Sequence, residues 1–300
     1  MIVMQVKHLH IEASSFCNAK CPGCPRNAYG YSIKGLYKEQ NLDFNKFIDL
    51  LKEYQKLEVI NFCGNHGDPM MHPLISKMVE ESGVFCSVAT NGSIGRIKTY
   101  EHLAKLNCIV TFGIDGLEDT NHLYRQGVKW NNLMERIESF ISAGGHAEWQ
   151  FIPFAHNIHQ IDQAKQLSVD LGFKDFLICE TNRNYFPVID DDKNISHWIL
   201  PADGSRQPNK NFDVENFLAS RINPVNLQPP RYKVKSIDCE HLYGSIYVNS
   251  EGEKFPCCYQ GFGHNGREKV KLEDFHLAKA TWESDNCNKV CAESCGVLDN

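Results

Sequence analysis

The stretch Lys7-His-Leu-His-Ile-Glu-Ala13, followed after three residues by Cys17-Asn-Ala-Lys-Cys21-Pro-Gly-Cys24, decides how this chain is read. The first part reads as a β-strand, and the second sets three cysteines in the order C-x3-C-x2-C on a short loop directly after it. Three thiolates on one loop can hold a four-iron four-sulfur cluster by three of its irons, which leaves the fourth iron open to a small molecule. A zinc ion is the alternative occupant. It would need a nearby fourth ligand, and no Cys or His follows Cys24 until Cys63.

Beyond this loop, short apolar runs alternate with longer amphipathic ones. Lys7 to Ala13, Val59 to Phe62, Val84 to Ala89, Ile109 to Ile114, Ala147 to Ile152 and Phe176 to Cys179 read as strands. Phe44 to Tyr54, Leu74 to Glu81, Ile97 to Leu106, Asn131 to Ala143 and Ile158 to Leu171 carry apolar residues at helical spacing, and glycines close several of them. Such alternation implies an α/β fold of parallel strands joined by right-handed crossovers.

From 181 to about 235 the composition turns to Asn, Asp, Pro and Arg, with Asp190-Asp191-Asp192 and Gln228-Pro229-Pro230. This reads as a solvated connection, with a lid that contributes substrate contacts as the alternative. A hairpin then follows, Ser245 to Val248 and Lys254 to Pro256 about Asn249-Ser250-Glu251-Gly252, and a short helix from Leu272 to Trp282.

The chain has 300 residues, no run of 18 apolar residues and no charged-then-apolar leader, so a soluble protein without a signal peptide is expected. Its net charge of −6, with no Lys/Arg run, argues against nucleic acid as a partner. Of its 13 cysteines, nine crowd into 17 to 24 and 239 to 295, which favours metal ligation in a reducing compartment, the cytoplasm, over a disulfide framework. Cys63, Cys86, Cys108 and Cys179 fall singly at strand positions and read as small buried apolar residues, Cys63 being notable because a glycine-rich loop follows it.

Three further motifs end strands: Cys63-Gly64-Asn65-His66-Gly67-Asp68-Pro69, Thr90-Asn91-Gly92, and Asp115-Gly116 with Arg125 ten residues later. Taken alone each is a turn signal. In a parallel barrel, however, functional groups gather at the carboxyl ends of the strands, where all three lie.

Together these features resemble the radical S-adenosylmethionine (radical SAM) superfamily, whose cluster loop is C-x3-C-x-aromatic-C; here Gly23 stands in place of the aromatic residue. The resemblance implies a partial (β/α)6 barrel over 1–180, a connecting or lid segment over 181–235 and a small α+β module over 236–300. It implies a SAM-binding 4Fe-4S cluster on Cys17, Cys21 and Cys24. It also implies that Gly64, Gly67 and Asp68 receive the methionine amino group, and that Asn91, Asp115 and Arg125 line the ribose and carboxylate end of SAM.

Cys239, twelve residues, Gly252, four residues and Cys257 fit the opening of the SPASM/Twitch pattern of auxiliary-cluster modules. The closing run of Cys287, Cys291 and Cys295 is too short for the full pattern. One auxiliary 4Fe-4S cluster is therefore expected, on Cys239, Cys257 and two of those three, Cys291 and Cys295 being preferred and Cys287 the alternate. A structural zinc knuckle is the competing occupant. Cys258, beside Cys257 on an expected strand, should face away as a spectator.

The implied activity is reductive cleavage of SAM to a 5'-deoxyadenosyl radical that abstracts a substrate hydrogen, with an external donor such as flavodoxin or ferredoxin. The expected substrate is a small molecule undergoing oxidation, because the chain starts too close to its first strand to carry a fused leader-peptide-binding domain. Modification or epimerisation of a peptide is the alternative, and a non-catalytic iron-sulfur or zinc protein the remote one.

Overall fold

The computed structural model describes residues 5–33, 38–181, 183–222, 234–239, 244–262, 270–279 and 296–298. Six strands, β1 (His8–Ile11), β2 (Val59–Phe62), β3 (Phe85–Thr90), β4 (Cys108–Gly113), β5 (His146–Phe151) and β6 (Asp175–Ile178), pair in parallel and in chain order. The crossovers carry α1 (Phe44–Glu53), α2 (Ile75–Ser82), α3 (Ile97–Leu103), the short α4 (Asn121–Tyr124), α5 (Trp130–Ser142) and α6 (Ile161–Leu171). Each of the six strands lies within a residue or two of its expected place.

Alternation along the strands sorts their side chains between two faces. Leu9, Ile11, Ile60, Phe62, Val88, Val110, Phe112, Trp149 and Phe151 are buried in one cluster with Phe47 of α1, Met78 of α2, Tyr100 of α3 and Phe140 of α5. The intervening residues are polar and face the other way, where Ser87 Oγ donates to Asn61 Oδ1 at 2.8 Å and Thr111 Oγ1 to Glu148 Oε2 at 2.8 Å. Helix starts and stops follow ordinary chemistry. Asp43 caps α1 by accepting from the N–H groups of Asn45 and Lys46, and Gly83 and Gly172 close α2 and α6 in the left-handed region.

Several features depart from the sequence reading. The segment after β6 holds an antiparallel hairpin, β7 (Phe186–Ile189) and β8 (Ile195–Ile199), whose first strand is wholly buried; Phe186, Val188 and Ile199 form a small core with Tyr124 and Phe154. The reading of a solvated connection was drawn from the flanking Asp and Asn residues, which cap the hairpin's turn. After α7 (Val214–Ile222) and β9 (Val234–Ile237) comes β10 (Ser245–Val248). This strand pairs in parallel with β1, His8 opposite Ser245 and Ile11 opposite Val248, and β11 (Lys254–Phe255) pairs antiparallel with β10. The expected hairpin is thus present, but it lengthens the barrel sheet to eight strands.

α8 (Cys258–Phe262) follows β11 directly, so Cys257 and Cys258 sit at a strand-to-helix turn and not on a strand. The helix expected from Leu272 is a 3-10 turn, Leu272–Asp274, running into α9 (Phe275–Lys279), and β12 (Gly296–Leu298) pairs antiparallel with β9. No described helix is long and apolar enough to cross a membrane.

Candidate active site

At the carboxyl ends of the strands lies a cavity of about 570 Å³ whose wall includes Cys17, Cys21 and Cys24 together with Gly64, Gly67, Asp68, Asn91 and Arg125. Sequence motifs ending four different strands or their loops therefore meet in one space. Asp115, also singled out in the sequence, stands behind that wall as the partner of Arg125.

The cysteine loop is pinned from several sides. Cys24 N donates to Cys21 O at 2.9 Å, Asn27 Nδ2 donates to the same carbonyl at 3.0 Å, and Lys20 N donates to Gln126 O at 2.8 Å. Asn91 Nδ2 donates to Asn18 Oδ1 at 2.9 Å and approaches Cys17 Sγ at 3.7 Å, while its Oδ1 accepts from Ser93 N and Oγ. Asn91 thus braces the loop from the end of β3. Burial pushes the thiol of Cys17 up to about 12 and those of Cys21 and Cys24 to about 11, so a metal that binds them must displace protons and supply the compensating charge.

The donor geometry bears on which metal fits. Among the described residues the trio of possible ligands with donor atoms all within 4.8 Å of one another is His146, Glu148 and Asp175, at the opposite ends of β5 and β6. The three loop thiols form no such trio, so at least one pair of their sulfurs is more than 4.8 Å apart, whereas tetrahedral zinc with Zn–S of about 2.3 Å demands about 3.8 Å. Three thiols around a common cavity, at a spacing wider than one zinc ion draws together, fit the larger iron-sulfur cube.

The glycine loop is held by a residue that the sequence reading passed over. Glu12, just past β1 and 1% exposed, accepts from His66 N at 2.9 Å and Gly67 N at 2.8 Å through Oε1, while Oε2 meets Tyr247 Oη at 3.2 Å and Cys63 Sγ at 3.5 Å. Gly67 passes so close to β1's extension that a Cβ there would lie 2.0 Å from Ser14 O, which only glycine permits. A carboxylate at the carboxyl end of the first barrel strand was the available signal for Glu12.

Asp68 also has its donors supplied by the protein. Its oxygens accept from Thr90 Oγ1 at 2.8 and 3.0 Å, from Asn91 N at 2.8 Å and from Met70 N at 3.0 Å. It joins the glycine loop to the end of β3.

Asp115 is fully buried, and its Oδ2 accepts from Arg125 Nε at 2.6 Å while Oδ1 accepts from Ile152 N at 2.7 Å. Burial alone would lower the Arg125 pKa, but the Asp115 carboxylate more than offsets this and holds the guanidinium cationic at the cavity wall, beside the Cys21 thiol. Asp115 thereby positions a cation next to the cysteine loop.

Gly23 occupies the site of the missing aromatic side chain, and the structure supplies rings there from elsewhere. A Cβ on Gly23 would lie 2.7 Å from Tyr124 Oη and 3.3 Å from Phe186 Cζ. Tyr124 comes from α4 and Phe186 from β7, so the ring and the residue it replaces are far apart in the chain.

In the carboxyl part, Cys239 is buried and Cys257 half-buried. Cys258, expected on a strand as a spectator facing away from Cys257, is instead the first residue of α8, where it lines the main cavity and packs with Cys63, Tyr247 and Phe255. Cys287, Cys291 and Cys295 lie outside the described residues. Cys86 and Cys108 are buried as expected, whereas Cys179 is half-exposed and accepts from Gln150 Nε2 at 3.0 Å.

Glu12 carries a pH signature. Burial raises its carboxyl from 4.5 to about 7 despite the opposing N–H donors. The native state therefore binds a proton that the unfolded chain releases between these values, and stability should fall as pH rises through that window, by on the order of 3 kcal/mol. Glu12→Gln keeps an acceptor for His66 N and Gly67 N and removes the titration. Urea unfolding followed from about pH 5 to about pH 8 should show a smaller decline in the variant; identical declines would remove Glu12 as the source.

Comparison with known proteins agrees with this geometry. The family model described as "Radical SAM superfamily" matches residues 11–167, just over half of the chain. The tungsten-containing aldehyde ferredoxin oxidoreductase cofactor-modifying protein of Pyrococcus furiosus is 28% identical over 282 residues, 88% of this chain and 74% of that protein. GTP 3',8-cyclase of Staphylococcus epidermidis is 23% identical over 57% of this chain and 54% of its own.

Among solved structures, Streptococcus suis SuiB bound to S-adenosylmethionine superimposes with a TM-score of 0.57 at 15% identity, covering 94% of this chain and 66% of that longer one. Native anSMEcpe with bound AdoMet and the Cp18Cys peptide gives 0.58 at 12% identity, covering 98% of this chain and 92% of its own. At these identities the likeness is one of fold.

Proposed function

Because the chain belongs to the radical SAM superfamily, we propose that it is an enzyme that cleaves S-adenosylmethionine reductively and oxidises a polar small molecule, with one auxiliary cluster as electron acceptor. The family's cofactors are SAM and a 4Fe-4S cluster. When bound, they supply a 5'-deoxyadenosyl radical, which takes hydrogen from unactivated C–H bonds. The observation that carries the reading is the meeting of the three thiols, the glycine loop, Asn91 and Arg125 on one cavity.

In this reading Cys17, Cys21 and Cys24 would hold the SAM-binding cluster. The glycine loop, fixed by Glu12, offers close backbone approach at Gly64 and Gly67. Asp68 acts chiefly by tying that loop to Thr90 and Asn91, since its oxygens already have protein donors. Arg125, oriented by Asp115, offers the cation for a carboxylate. Tyr124 and Phe186 serve as the aromatic wall that Gly23 lacks, and with the hairpin they screen the site from water.

Cys239 and Cys257, with two of Cys287, Cys291 and Cys295, are the proposed ligands of the auxiliary cluster. A small molecule is preferred to a peptide because the polar face of the barrel, Thr111 and Gln150 among its residues, opens into the cavity. The Pyrococcus furiosus relative, named for modifying a cofactor, points the same way.

The test is anaerobic reconstitution followed by reduction with dithionite or flavodoxin in the presence of SAM. Slow formation of 5'-deoxyadenosine and methionine without any substrate is expected, because the chemistry needs only cofactor and an electron. Iron-replete, reduced protein that leaves SAM intact would sink the reading.

A further inference from the structure

A second cavity, of about 410 Å³, lies against the cysteine loop and shares Gly23, Cys24, Pro25 and Arg183 with the reaction cavity. Its charge is unlike that of the molecule. The chain carries 37 acidic residues and a net charge of −6, yet three arginines, Arg183, Arg206 and Arg221, line this cavity and no Asp or Glu does. Neither Arg183 nor Arg206 has a carboxylate within 4.0 Å among the described residues; Arg183 Nη1 donates to Gly23 O at 3.3 Å, and the Arg206 guanidinium lies 4.9 Å over the Tyr185 ring.

The same cavity is lined by rings, Tyr29, Tyr185, Phe186 and Phe217. Tyr29 is stacked between Phe186 and Phe217, with ring centroids 5.0 and 4.5 Å apart and interplanar angles of 12° and 4°. Tyr29 adopts φ of +56°, the left-handed region that a bulky side chain avoids unless its surroundings impose it. Both faces of the Tyr29 ring are covered by this stack, so a ligand meets its edge and the rings that flank it.

Cationic forks and flat apolar rings lining one cavity select a ligand that carries both an oxyanion and a planar body. We propose that this cavity binds a phosphorylated planar heterocycle, the phosphate on the arginines and the ring system on the aromatic wall, as the anchoring subsite of the substrate. The inference rests on the small-molecule reading above and narrows its substrate class. Because the two cavities meet at Gly23 and Arg183, a ligand anchored here can extend a reactive portion toward the site under the cysteine loop.

The test uses reconstituted full-length protein and calorimetric titration with GTP, which carries both chemistries, and with guanosine and inorganic tripolyphosphate, which carry one each. GTP should bind at least about tenfold more tightly than either part. The double variant Arg206→Gln, Arg221→Gln should weaken GTP by about tenfold or more while iron content and SAM affinity stay unchanged.

Equal GTP affinity in wild type and variant, or no GTP binding at all, overturns the proposal. So does displacement of GTP by saturating SAM, which would assign the cavity to SAM itself. If the variant keeps its GTP affinity but is reduced more slowly by an acidic flavodoxin, the arginines are a docking face for that donor and the proposal fails. Binding is read independently of SAM cleavage, so failure of one leaves the other result standing.

Discussion

Replacing Cys17, Cys21 and Cys24 together by alanine is expected to abolish 5'-deoxyadenosine formation and to remove about four of about eight irons from reconstituted protein. The argument is one of ligand supply. The loop brings its three thiols to one cavity wall, and burial keeps them protonated until a metal takes the protons' place. The carboxyl cysteines belong to another part of the chain, so the iron of the auxiliary cluster proposed there should survive. Complete loss of iron in the triple variant would withdraw the auxiliary cluster, and undiminished iron would withdraw the loop as a ligand set. Zinc in stoichiometric amount at the carboxyl cysteines, in protein produced with ample iron, would also count against the second cluster.

The second large effect concerns the ion pair behind the cavity. Arg125→Met leaves the Asp115 carboxylate buried with Ile152 N as its remaining donor to the side chain. Removing one partner of a buried pair costs about 3–5 kcal/mol, because the other charge is left uncompensated. Urea unfolding should report a loss of that order. Adding Asp115→Leu should recover much of it, since no isolated charge then remains, although SAM binding should stay impaired. A double variant no more stable than Arg125→Met would show that packing around Asp115, and not its charge, accounts for the cost.

The barrel was legible in the sequence because each strand and helix there is decided locally, by a run of a few residues and the glycine or asparagine that ends it. The meeting of Gly64, Gly67, Asn91 and Arg125 was legible for a related reason: parallel topology sends every strand's carboxyl end to one side. What escaped the reading depends on distant partners. Nothing near Glu12 announces that its oxygens will reach two N–H groups at His66 and Gly67. The rings beside Gly23 arrive from Tyr124 and Phe186, which no spacing rule connects to the cysteine loop. The hairpin from Phe186 to Ile199 is hidden by its own Asp-rich turn, and a helix begins at Cys258 where the alternation reads as a strand.

One pairing also governs how the protein can be made. β1 is flanked by β2 on one side and on the other by β10, more than two hundred residues later, with His8 opposite Ser245. During synthesis at about 5–20 residues per second, the outer edge of β1 therefore stays bare for ten seconds or more after the cysteine loop has emerged. An unpaired edge is a template for pairing with another chain. Emergence of the cysteine loop and protection of that edge thus fall on opposite ends of translation, and a nascent chain stalled before Val248 would carry that loop directly after a strand with an open edge.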